Sequence, residues 1–378
     1  MRPDLRFSQR LLDSVLGGVS VIDLRQLHIS TIEKAYDFAK IYGYDLNDAE
    51  DREAAWSYHR KAVTFLREFL LEEGEDLPEI LTDPQQLKDP AFLLIYASTQ
   101  EHQNNSIQKW ACAILRVVHV YVHLENDLFR HYRDEIQQQI LRPIEERITQ
   151  RPVMGSPVLG LAADGEQITL NKFEVKTMKT TSSAIIKLLA KPAMVTQSLY
   201  DRLGVRFVTR NIFDSFRVLR YLIHQHLVSV AHIMPDQSNN TLYPTNLFLE
   251  VMGHLQTSNE GLSEEQIQQQ LLAKLETNPD AAKFREKYNP YSGEAFRNMK
   301  FISRRLISVA ADDGQKKNFR FFYPFEVQII DHDAYVSSLS GPSAHAQYKE
   351  RQRRAARARV LGLTLKEGGL WTNGKTGA

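Results

Sequence analysis

The sequence predicts an α+β chain: a helical N-terminal domain followed by a mixed β-sheet flanked by helices. Three observations carry this prediction. Over the first 150 residues, apolar positions recur at three- and four-residue spacing, the period of one helix face. Near Arg151 the texture breaks, with Pro152, Gly155, Pro157 and Gly160 close together as in a linker or a turn-rich edge. Beyond it, short apolar runs of two-residue period alternate with helical patterns. A length of 378 residues also exceeds what one ordinary core fills, so two domains are expected. We place a helical domain over 1–150, a sheet domain over 165–360 with an insertion near 242–289, and a loose tail over 361–378.

The elements follow in chain order. Thr31–Tyr42 and Asp51–Glu73 are predicted helices. Ile107–Ile148 reads as a longer helical segment, with Ile114, Leu115, Val118, Val122 and Leu128 marking a buried stripe. Pro143 should kink or break it near its end. Ser182–Leu189 predicts a helix and Leu203–Thr209 a buried strand. The next helix is expected to begin near Asp214, taken as its N-cap. Leu262–Leu275, rich in Gln and Glu, reads as a surface helix. Phe301–Val309 and Phe319–Ile330 read as strands flanking Asp312-Asp313-Gly314, a hairpin signal. A last helix follows Gly341 through an Arg-rich stretch, and no internal repeat is visible.

Composition bounds the function. Hydrophobic residues make up 43% and charged residues 25%, the balance of a soluble globular chain. No apolar run reaches the roughly 18 to 20 residues a membrane span needs. Met1–Leu16 has no continuous apolar stretch, so no secretory signal is expected. The single cysteine, Cys112, cannot form an internal disulfide, and we expect a reducing cytoplasm. A net charge of +1 gives no whole-chain case for nucleic acid. Locally, Lys349, Arg351, Arg353, Arg354, Arg357 and Arg359 stand against Glu350 alone. This basic C-terminal helix is either a solvated face or a contact for RNA or phosphate. His119 and His123, four apart, have the spacing of a zinc pair. Val118 and Val122 adjoin them and no third ligand is fixed by spacing, so a core or polar-edge role outweighs a metal site.

Three spaced elements carry candidate chemistry. Lys179, Ser183 and Lys187 are four apart and share one helix face, where lysines can hold phosphates. Asp201 opens the strand whose core face is Leu203, Val205 and Phe207. A carboxylate there can hold Mg²⁺, and Arg206, on the opposite face from Val205, can reach a phosphate. Along Phe325-Glu326-Val327-Gln328-Ile329, alternation sends the apolar residues inward and Glu326 and Gln328 to the other face. A carboxylate on an open sheet face near cations suits a general base acting on a hydroxyl.

Together these residues resemble the synthetase domain of the RelA/SpoT alarmone enzymes. That family shows a Lys-x3-Ser-x3-Lys helix face, an Asp-x4-Arg strand and a Glu-x-Gln strand, then Gly, His and Tyr-Lys at fixed offsets. Here Gly341, His345, Tyr348 and Lys349 lie 13, 17, 20 and 21 residues after Gln328. The resemblance implies a nucleotidyltransferase-like sheet and transfer of the β,γ-pyrophosphoryl group of ATP to the 3′-hydroxyl of GDP or GTP, which makes (p)ppGpp. It assigns Lys179, Ser183 and Lys187 to the ATP phosphates. Asp201 takes Mg²⁺, with Glu326 assisting at the metal and acting as base on the hydroxyl. Arg206, Gln328 and His345 fall among its nucleotide-binding positions.

The sequence departs from that pattern in places. The family's Gly-Tyr-x-Ser-x-His element stacks the acceptor base on its aromatic ring; here Phe296 takes the aromatic position, Lys300 takes the histidine position, and Tyr291 is an alternative stacker. The family's Gln-Ile-Arg-Thr becomes Gln328-Ile329-Ile330-Asp331, and the arginine two residues before the first lysine becomes Thr177, with Lys176 close. The hydrolase set of the family's long members is not found in 1–150. His332-Asp333 is the only His-Asp pair, and we read it as incidental. Two other readings stay open: an adenine-nucleotide or tRNA 3′-end acceptor, and a non-catalytic nucleotide- or RNA-binding module. Acceptor and oligomeric state are not fixed at this level.

Overall fold

The computed structural model describes residues 16, 20–23, 27–99, 105–126, 131–150, 155–176, 181–191, 202–258, 261–278, 297–310, 319–339, 345–365 and 371–372. In chain order its main elements are α1 (Ile32–Tyr42), α2 (Ala49–Phe65), α3 (Asn105–Glu125), α4 (Arg133–Glu145), β1 (Ile148–Gln150), β2 (Pro157–Leu159), β3 (Ile168–Lys176), α5 (Thr181–Ala190), β4 (Gly204–Thr209), α6 (Ile212–His224), β5 (Asn239–Asn240), α7 (Thr245–Ser258), α8 (Glu264–Glu276), β6 (Met299–Val309), β7 (Phe319–Asp331), α9 (His332–Leu339) and α10 (His345–Leu361). The class is α+β, as expected. No helix among the described residues is long and apolar enough to cross a membrane.

The chain divides into two compact units. One comprises Met1–Asp127, Thr180–Leu199 and Glu350–Ala378; the other comprises Leu128–Lys179 and Tyr200–Lys349. The division is not a single cut near Arg151. Helix α4 lies with the sheet, whereas α5 and most of α10 lie with the helices. Sequence periodicity reports which face of a helix is apolar, not which core that face joins.

In the helical unit, Thr31 caps α1 by accepting from Lys34 N–H, and Gly43 closes it in the left-handed region at φ 115°. Asp48 caps α2, which passes into one π-turn at Leu66–Leu70. The helix expected to reach Glu73 therefore ends there. The long segment expected over 107–148 is two helices, α3 and α4, and Pro143 sits in the last turn of α4.

The sheet unit has strand order β1-β2-β3-β4-β7-β6-β5. Only the central β4–β7 pair is parallel; the other neighbours run antiparallel. Its core joins Val205, Phe207, Phe325, Val327 and Ile329 to Val218, Tyr221 and Leu222 of α6. The exposed end of β6 is covered in part by Gln139 of α4. The amide of this side chain exchanges two hydrogen bonds with Ser308, at 2.9 and 3.0 Å, as a strand would.

Helix α6 corrects one expectation. Its cap is Asn211, which accepts Asp214 N–H at 2.8 Å. Both Asn and Asp can cap, and the chain uses the first. Asp214, fully buried, instead pairs with Arg210 and Arg217, each at 2.9 Å. Arg217 also reaches Glu166 and Glu264, so the buried carboxylate belongs to a network.

Candidate active site

Alternation along β7 turns Glu326 and Gln328 away from the core that holds Phe325, Val327 and Ile329. Register then decides what stands beside them. On β4, Gly204 is level with Glu326 and Arg206 with Gln328. On β6, Ile302 is level with Glu326 and Lys300 with Gln328. On β3, Lys176 is level with Gly204 and Glu174 with Arg206.

A bulge supplies the β3 charges. Ile168 and Leu170 point into the core, but the register shifts between Leu170 and Lys172. Past that point Phe173 and Val175 pack on the core instead. The extra residue thus turns Lys172, Glu174 and Lys176 to the face opposite the core.

Glu326 is only 4% exposed. One of its oxygens pairs with Lys176, and the other lies 3.6 Å from Lys300 Nζ. Arg206 donates from Nε to Gln328 Oε1 at 2.8 Å and from Nη1 to Glu174 Oε2 at 3.0 Å. Lys172 Nζ stands 2.6 Å from Glu174 Oε1 and donates to the Tyr335 hydroxyl at 3.0 Å. Burial pushes the Glu174 carboxyl up, but Lys172 and Arg206 outweigh it and hold it below its ordinary range. Gly204 is required by close approach, because a Cβ there would lie 2.5 Å from the Glu326 carbonyl oxygen.

The face therefore sets four cations against two carboxylates, around one buried carboxylate. A polyanion suits that balance, since its phosphates can take over lysines that now engage Glu326. Mg²⁺ is usually bound by one or two carboxylates together with substrate phosphates. Glu326 fits as one such oxygen donor. Asp201, the other expected metal residue, stands three residues before Gly204 in the chain and lies outside the described residues.

Four of the expected site residues, Glu326, Gln328, Arg206 and Lys300, meet on this face. Ser183 and Lys187 lie on α5, which belongs to the helical unit. There Ala184, Ile185, Leu188 and Leu189 are buried, and Ser183 and Lys187 are half-buried beside them. Lys179, Tyr291, Phe296 and the side chain of His345 lie outside the described residues, as does the expected hairpin turn at 312–314. Sequence reasoning passed over Lys172, Glu174 and Gly204, and weighed Lys176 only as a neighbour of Thr177. The Lys-x-Glu-x-Lys alternation of β3 was the available signal.

Three other features have structural roles. Asp331, in the segment that departs from Gln-Ile-Arg-Thr, caps α9 by accepting Ala334 N–H at 2.9 Å. The adjoining His332 and Asp333 are exposed on the first turn of α9. His119 Nδ1 is hydrogen-bonded to the Tyr42 hydroxyl at 2.7 Å, and its ring lies edge-on to His123. In the basic helix, Arg353 and Arg354 pair with Glu350, Arg357 with Glu75, and Arg359 with Asp23. Arg359 also donates to the Leu188 and Leu189 carbonyls at the end of α5. Among the described residues, no group of three His, Cys, Asp or Glu side chains is placed to hold a metal ion.

No protein-family model and no curated protein matches the chain. Among solved structures it is similar to small alarmone synthetase 1 from Bacillus subtilis, with 11% identity and a TM-score of 0.29, over 61% of this chain and 87% of that one. It is also similar to small alarmone synthetase 2 from the same organism, with 12% identity and a TM-score of 0.26, over 63% and 87% of the two chains.

Proposed function

We propose that the sheet face is the active site of a Mg²⁺-dependent pyrophosphokinase that uses ATP as donor and GDP or GTP as acceptor. The observation that carries this reading is Glu326: a buried carboxylate on the sheet face opposite the core, held between Lys176 and Lys300 and beside the braced guanidinium of Arg206. In the proposed step the acceptor 3′-oxygen bonds to the β-phosphorus of ATP. The bond from that phosphorus to the α,β-bridging oxygen breaks, and AMP leaves. Glu326 accepts the hydroxyl proton. Lys176, Lys300 and Arg206 neutralise phosphate charge, while the Gln328–Arg206–Glu174 chain fixes the guanidinium in place. Mg²⁺, when bound, supplies further neutralisation at the donor phosphates, with Glu326 and Asp201 as its protein ligands.

The test uses ATP radiolabelled at the γ-phosphate, with Mg²⁺ and, in turn, GDP, GTP, ADP, ATP and bulk tRNA. Label is expected in a guanosine product, and Glu326→Gln should slow its formation by about a thousandfold with the melting temperature retained. A labelled adenine nucleotide or tRNA would move the acceptor. No transfer to any acceptor would favour a binding module. Undiminished transfer by a folded Glu326→Gln would remove Glu326 from the chemistry.

A further inference from the structure

The face that carries Glu326 continues along the β6–β7 hairpin. Phe321, Tyr323 and Phe325 of β7 and Ile307 and Val309 of β6 turn to the core. Alternation therefore puts Arg320 and Phe322 of β7, and Arg304 and Leu306 of β6, on the same face as Glu326. Register sets Leu306 level with Phe322, Arg304 with Pro324 and Ser308 with Arg320. At about 3.3 Å per residue, Phe322 and Arg320 stand about 13 and 20 Å along the strand from Glu326.

This stripe is exposed and short of negative charge. Phe322 is 48% exposed and Leu306 44%. Arg304 and Arg320 are exposed as well, and no carboxylate among the described residues pairs with either. The Arg304 guanidinium lies over the Phe322 ring, 5.5 Å from its centroid, and the His232 ring meets it edge-on at 5.0 Å. The ring is thus held from two sides while half of its surface faces water. The basic helix α10 is the opposite case. Its Arg353, Arg354, Arg357 and Arg359 each have a carboxylate partner. The contact for RNA or phosphate expected of that helix finds its unpaired arginines on the hairpin instead.

A fixed, exposed aromatic ring between arginines without counter-ions matches a ligand that alternates flat bases with phosphates. Free phosphate would leave the ring in water. A duplex would offer the ring no base face. An apolar partner surface would leave two guanidinium groups uncompensated.

We propose that this stripe binds single-stranded nucleic acid, with a base stacked on Phe322 and phosphates held by Arg304 and Arg320. Such binding needs no transfer chemistry at Glu326, and it is measured without ATP or Mg²⁺.

The test is fluorescence anisotropy of labelled oligo(U) and oligo(dT) of about twelve nucleotides, titrated with the full chain over a range of salt. At least one strand should bind saturably, the tighter of the two naming the sugar, and a duplex of equal length should bind at least tenfold more weakly. Phe322→Ala should weaken binding at least fivefold at every salt concentration, and Phe322→Tyr, which keeps the ring, should not. Arg304→Met and Arg320→Met should each reduce the slope of log K against log salt by about 0.7. Arg354→Met, on α10, should change neither quantity. Absence of saturable binding overturns the proposal, as does equal affinity for the duplex. Undiminished binding by Phe322→Ala, with both arginine variants weakened, leaves a phosphate site and overturns the strand assignment. Loss of binding in Arg354→Met alone moves the contact to α10. Self-association abolished by Phe322→Ala, without oligonucleotide binding, assigns the stripe to a second copy of the chain instead.

Discussion

On the sheet face Glu326 and Glu174 are buried or half-buried with cations set against them, whereas in the helical unit burial keeps the His59 and His119 imidazoles from charging. Lys176, Lys300 and Arg206 answer the carboxylates of one. In the other, burial first and the Arg60 charge second push the His59 imidazole down, and burial, with His123 beside it, pushes His119 to about 4. The physics is common to both: a group taken from water needs an opposite charge, or it loses its own. The surfaces that result differ in what they can receive. The sheet face, with its cations, suits phosphates.

The comparison breaks most sharply where a buried charge loses its partner. Asp214→Ala leaves Arg210 and Arg217 without their buried carboxylate. We expect a loss of about 3–5 kcal/mol in urea unfolding followed by circular dichroism. A similar truncation of a neutral group, Tyr42→Phe, should cost only about 1 kcal/mol. Next comes geometry. Gly204→Ala places a Cβ against the Glu326 carbonyl oxygen in the central strand pair, and should lower the transfer rate by about a hundredfold and the melting temperature with it.

Acid separates the units by window. His119 has a folded pKa of about 4, below its ordinary 6.5, so the unfolded chain takes up a proton first as the pH falls. Its contribution is full above about 6.5 and drains between 6.5 and 4; discounted for partial exposure, it amounts to about 2–3 kcal/mol. Trp56, Trp110 and Trp371 all belong to the helical unit, so tryptophan fluorescence reads this loss. His119→Phe should flatten it.

The smallest effect is in the sheet unit. The Tyr221 hydroxyl, Leu161 N–H and Arg147 hold Asp164 at about 2, below its ordinary 3.8. Its contribution is full above 3.8 and is lost as the pH falls to about 2. Asp164→Asn should remove that part of the acid transition seen by circular dichroism.

Much of the fold was legible because it rests on local periodicity. The strand containing Glu326 was read from Phe325, Val327 and Ile329, and the helix at α1 from its spacing. The bulge in β3 was not read from the sequence: one extra residue reverses which side chains face the core, and its only trace there is the phase change from Ile168 and Leu170 to Phe173 and Val175. The cap at Asn211 was missed because Asp214, three residues on, is chemically as able to serve. The split of the long helical segment and the assignment of α4 to the sheet depend on which core each apolar face meets.

The sequence by itself determined the helical and strand periods, the inward and outward faces of β7, and the residue types at the candidate site. Those follow from backbone geometry repeated every few residues. Only the tertiary structure decided that Lys176 and Lys300, from different strands, stand on one carboxylate. It alone also decided that Gly204 must carry no side chain. These are outcomes of register and of the meeting of distant segments, which no local pattern encodes.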